Sequence, residues 1–162
     1  VTPLKYTVSP AKEFFNISVD DYDKVVDFTI GIIDFKTLSP SNHVYTFLAE
    51  DVSIAEGSKT EEFTVNVDMT GIGQEYINYS ADNFEINNPD KKNYKVSGLN
   101  KSVAVVGMVK ELESITEENI KVQIDLSDLD INQGQTVSVP AVVTIENAGC
   151  WIYGTYFVDV SL

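Results

Sequence analysis

The chain has 162 residues, 43% of them apolar and 10% aromatic, which is enough core-forming material to fold; no apolar run is long enough for a membrane helix. Its 25 acidic side chains against 11 basic ones give a formal charge of -14, which sets up repulsion towards nucleic acid and anionic membrane surfaces. A single cysteine excludes an internal disulfide or a multi-cysteine metal centre, and a single histidine excludes a multi-histidine one.

The chain opens at Val1 without an initiator methionine or signal-like core, which reads as a trimmed or processed chain. Acceptor motifs for N-glycosylation occur at Asn16, Asn78 and Asn100, and the acidic stretch at 20–24 reads as a loop. The dominant signal along the chain is two-residue alternation, which places every second side chain on one face of a pleated strand. It predicts strands through Val26, Phe28, Ile30 and Ile32 and through Phe63, Val65, Val67 and Met69. Pro40 and Pro89 mark loops, His43 sits in a loop-like stretch, and the polar segment 87–93 reads as a linker. Residues 109–119 are rich in helix formers, with Leu112 and Ile115 three apart and Thr116 able to cap the residues after it, so they predict a short helix or turn.

Beyond it, Ile120, Val122, Ile124 and Leu126 alternate with polar residues in a half-buried strand, and Val137 to Ile145 repeats the pattern. Pro140 cannot donate to a sheet ladder, so this last strand is expected at an edge or with a bulge. Asp128, Asp130 and Asn132 have the spacing of a calcium loop's opening, but Gln133 and Val139 stand where that loop needs glycine and glutamate. A solvated turn is expected there, with no metal or other cofactor. Three segment pairs, 29–40 with 104–115, 63–69 with 135–143 and 77–86 with 151–160, suggest a duplicated unit. The expected fold is all-β, of small antiparallel or mixed sheets with at most short helical turns, in two consecutive modules at 1–88 and 89–162.

The final stretch carries Cys150 and Trp151 side by side. Read as one strand, it puts Cys150, Ile152, Tyr156, Val158 and Val160 on one face and Trp151, Tyr153, Phe157 and Asp159 on the other. The cysteine then lies on the apolar face, where burial raises a thiol's pKa and silences it as a nucleophile. Trp151, Tyr153 and Phe157 form the candidate binding site if their face is open, and core if a second layer covers it. No residue is assigned a catalytic role, because neither a nucleophile with its base nor a selected carboxylate pair is visible.

In the second half, Val103, Val105 and Gly107, then Leu112 and Ile115, then Ile120, Val122, Asp125 and Leu126, then Gly134, Val137 and Val139 succeed one another in an order that resembles YbbR-like domains. Residues 94–162 carry the resemblance, the first half more faintly, and Met108 replaces the proline that often comes after the glycine. The resemblance implies tandem extracytoplasmic modules of a bacterial envelope protein, behind a membrane anchor or secreted, without enzymatic activity and acting through a protein partner. The alternatives are a carbohydrate-binding or adhesin-like β-sandwich, marked by an exposed Trp151 row, and a hydrolase with a carboxylate pair in a cleft.

Overall fold

The computed structural model describes residues 4–9, 30–49, 61–147 and 149–162. The protein is mostly β, as the alternation requires, with about half of the described residues in strands. The only α-helix among the described residues is the single turn Val109–Leu112. Two compact units form, one from Phe35–Pro40 with Gly71–Leu162 and the other from the described parts of Pro3–Asp34 and Ser41–Thr70.

The smaller unit holds one antiparallel sheet in the order β1 (Lys5–Ser9), β3 (Glu61–Asp68), β2 (His43–Ala49). Register sets His43 opposite Val67, Tyr45 opposite Val65 and Phe47 opposite Phe63, so these side chains share the face on which Phe63, Val65 and Val67 are buried. His43, Tyr45 and Phe47 stack in succession along β2, with centroids 5.7 and 6.2 Å apart. His43 therefore begins a strand, correcting the loop reading. The strand expected at 26–32 lies mostly outside the described residues, as do the 20–24 stretch and Asn16; Ile30 to Asp34 form no strand.

The larger unit packs two sheets through one core. The first, of three strands, runs β10 (Cys150–Tyr153), β7 (Val103–Met108), β4 (Ile72–Ile77). The second, of five, runs β5 (Glu85–Asn87), β8 (Ile120–Asp125), β9 (Thr136–Ile145), β11 (Tyr156–Ser161), β6 (Lys95–Leu99). Val103, Val105, Cys150 and Ile152 from the first meet Val122, Ile124, Val139, Ala141, Val158 and Val160 from the second in a continuous apolar cluster that Leu112 and Ile115 complete. Their phases are those of the sequence, since each buried residue of β8 and β11 alternates with an exposed one.

Three expectations change. The polar stretch 87–93 connects the two edge strands of one sheet, β5 and β6; Asn88 Nδ2 donates to the Lys92 carbonyl at 2.8 Å within it, and Tyr94 Oη anchors its end to the Leu129 carbonyl at 2.6 Å. The units accordingly part at 70/71, because β4 pairs with β7 and β5 with β8, and not at 88/89. The segments 77–86 and 151–160, expected in different copies of a repeat, lie in the same unit. Finally, β9 lies inside its sheet, between β8 and β11; its ladder with β8 stops at Ile124 opposite Ala141, so Pro140 stands just beyond it and needs no donor on that side.

Candidate functional site

The last strand of the sequence is two strands. Gly154 adopts φ +88°, a left-handed conformation that favours glycine, and there the chain leaves the three-stranded sheet and enters the five-stranded one. The inward phase survives the break: Cys150, Ile152, Tyr156, Val158 and Val160 are all buried. The outward phase does not survive as one row. Trp151 and Tyr153 lie on the back of the three-stranded sheet, whereas Phe157 lies on the outer face of the other.

Trp151 is 6% exposed. Its indole Nε1 donates to the Leu38 carbonyl at 3.0 Å, and Phe35 meets its ring edge-on at 5.3 Å. The Gly154 amide donates to the Lys36 carbonyl at 2.7 Å, so residues 35–38 form a strap over β10, with Leu38 fully buried. The middle strand of this sheet, β7, is buried on both faces, from Val103 to Gly107. The exposed row of Trp151, Tyr153 and Phe157 is thus replaced by a covered tryptophan, a half-buried Tyr153 and a single open Phe157.

Cys150 is buried against β7, and burial first, with Glu111 second, pushes its thiol pKa up. Tyr156 serves the core: its hydroxyl accepts from the Ala104 amide and donates to the Tyr153 carbonyl, each at 2.7 Å, and burial raises its pKa too. Asp128 is exposed, Asp130 lies 3.8 Å from the Lys92 ammonium, and the Asn132 amide donates to Gln135 Oε1. Among the described residues no three acidic, histidine or cysteine side chains gather as metal ligands. Asn78 and Asn100 hold neighbouring segments: Asn78 Oδ1 accepts from Ser102 Oγ at 2.7 Å and Asn100 Oδ1 from the Phe157 amide at 3.2 Å.

The open surface of the larger unit is the outer face of the five-stranded sheet. Phe157 stands directly opposite Pro140, and Val142, 55% exposed, comes two residues along β9 on the same face. Beyond Val142 lies an open depression of about 580 Å³, lined by Glu85, Asn87, Gln123 and Asp125 and floored by the strand at Ile86 and Ile124. Gln123 Nε2 donates to Glu85 Oε2 and Asn87 Nδ2 to Asp125 Oδ1, both at 2.9 Å. The Ser127 amide, 3.0 Å from Asp125 Oδ1, is the main reason the Asp125 pKa is lowered. Val142 and Pro140 were missed in the sequence as surface groups. The signal was there: both fall out of phase with the buried set of β9.

No family model, no curated protein and no solved structure matches this chain.

Proposed function

We propose that this chain is a non-catalytic, extracytoplasmic β module of a bacterial envelope protein that acts by binding another protein. The observation that carries this reading is the apolar row Phe157, Pro140 and Val142, open on a sheet face whose other side chains are polar. An apolar strip with a polar rim is the anatomy of a protein contact. The YbbR-like order of residues supports the envelope setting: of its apolar members, Val103, Val105, Leu112, Ile115, Ile120, Val122, Leu126 and Val139 are buried in the larger unit and Val137 is half-buried, and Gly134 supplies a turn at φ +84°. The carbohydrate-binding alternative asked for an exposed Trp151, and the burial of that ring removes the feature that would have favoured it.

The test is retention of a protein from the native envelope on the immobilised chain. Phe157→Ala is expected to weaken retention while native amide dispersion is kept, with a modest fall in the unfolding midpoint because the ring is only 36% exposed; a contacting aromatic commonly contributes about 2 kcal/mol to binding. Retention of oligosaccharide alone would transfer the reading to the carbohydrate-binding class.

A further inference from the structure

The surroundings of the apolar row say what kind of partner fits it. On the outer face, β5 and β8 carry Glu85 and Asp125, and Asp159 lies two residues beyond Phe157 on β11. Amide donors fix the first two carboxylates, Gln123 on Glu85 and Asn87 on Asp125, so little side-chain freedom remains to be lost when a cation arrives. The one lysine of β8, Lys121, forms its ion pair with Glu146 and feels Glu85 only as the last and smallest of its electrostatic neighbours. No ion pair to Glu85 or Asp125 occurs among the described residues. With a formal charge of -14 behind it, this face attracts basic partners and repels acidic ones.

We infer, on the basis of the protein-binding reading above, that the outer face of the five-stranded sheet takes a partner segment carrying lysine or arginine beside an apolar side chain. The apolar group rests on Val142, Pro140 and Phe157, and the cation enters the depression between Glu85 and Asp125. The two halves are complementary in cause: the apolar row supplies desolvated area, and the carboxylates supply orientation and selectivity against acidic surfaces.

The probe is a synthetic heptapeptide of alternating lysine and leucine, added to the isotope-labelled full chain. Peptides of alternating lysine and serine, and of alternating glutamate and leucine, serve as controls. The lysine–leucine peptide is expected to shift the amide signals of Glu85, Asn87, Gln123, Asp125, Val142 and Phe157, with the controls at least about tenfold weaker, the scale of one hot-spot side chain. Glu85→Gln with Asp125→Asn, and separately Val142→Ser, should each weaken the peptide by a similar factor while distant signals stay in place. Shifts scattered over the acidic surface, or an affinity unchanged from wild type in either variant, would overturn the inference. Envelope retention separates the two levels. A protein held equally by wild type and by the combined E85Q/D125N/V142S chain removes the inference and leaves the protein-binding reading standing. If wild type retains no protein, that reading falls and the inference with it.

Discussion

Trp151 shows how one side chain's role turns on what lies over it. Alternation set it opposite the core phase, which is correct, but alternation is silent about a second layer, and residues 35–38 supply that layer from more than a hundred positions away. The tryptophan is therefore a stability residue. Trp151→Ala should cost about 3–5 kcal/mol in urea unfolding, as for large aromatics removed from cores. Trp151→Phe keeps most of the ring but leaves the Leu38 carbonyl without its donor, at about 1–3 kcal/mol. A mild effect from the alanine variant would mean that the strap repacks. Cys150 and Tyr156 add a pH dependence with a definite sign. Burial raises both pKa values, so the unfolded chain loses these protons first as pH rises. Their contribution is complete below the ordinary thiol value, about 8.5, and is lost upwards through the thiol and then the phenol range. The thermal midpoint measured from neutral to strongly alkaline pH should therefore fall, and thiol labelling of the native protein should be slow until denaturant is added. A midpoint that rises or stays level through both ranges would contradict the burial of these groups.

The elements were legible where one face is wet and one dry. β8, β9 and β11 match their alternation residue by residue, and the helix-forming stretch after β7 yields one helical turn and then Glu117–Asn119, where the Thr116 amide donates to Asn119 Oδ1 at 2.9 Å. What alternation could not show is where a strand changes sheets. Inward phase is conserved across Gly154, so Cys150 to Ser161 reads as one strand although β10 and β11 pair with different partners. Only the positive φ marks the joint. Gly154→Ala should cost about 1–2 kcal/mol, the penalty of a left-handed alanine. Gly107 is constrained for another reason: a Cβ there would fall 2.5 Å from Cys150 Sγ and 2.6 Å from the Gly149 carbonyl oxygen. Because the second clash is with backbone, shrinking the cysteine does not relieve it. Gly107→Ala should cost about 3 kcal/mol or more and should not be rescued by Cys150→Ala, whereas Gly98→Ala, whose Cβ would meet nothing within 4 Å, should be close to neutral by the same unfolding measurement. Rescue by the double variant would place the clash on sulfur alone.

At the scale of the molecule, the boundary was the hardest feature to read, for a physical reason. Polar, proline-containing composition marks any exposed connection, and the 87–93 stretch has that composition because it joins the two edge strands β5 and β6 of one sheet, not because it separates two cores. The junction of the two compact units at 70/71 lies at the tight turn between β3 and β4, where Gly71 takes φ +81°, and nothing in its composition distinguishes it from a hairpin. Fragments decide between the two cuts. A chain of residues 89–162 lacks β4 and β5, so it bares one edge each of β7 and β8 and loses the half-buried Ile77, Tyr79 and Phe84 that pack against the main core. A chain of residues 71–162 keeps both sheets and loses only the strap from Phe35–Pro40. The longer fragment should give dispersed strand-like amide signals and a cooperative urea transition. Its Trp151 fluorescence should be red-shifted relative to the full chain, since removal of Phe35 and Leu38 opens the indole to water. The shorter fragment should give a collapsed, poorly dispersed spectrum, because about 74 residues with two unpaired interior edges cannot offset the entropy of ordering them. A shorter fragment as well folded as the longer one would restore the cut at 88/89 and make β4 and β5 accessory strands.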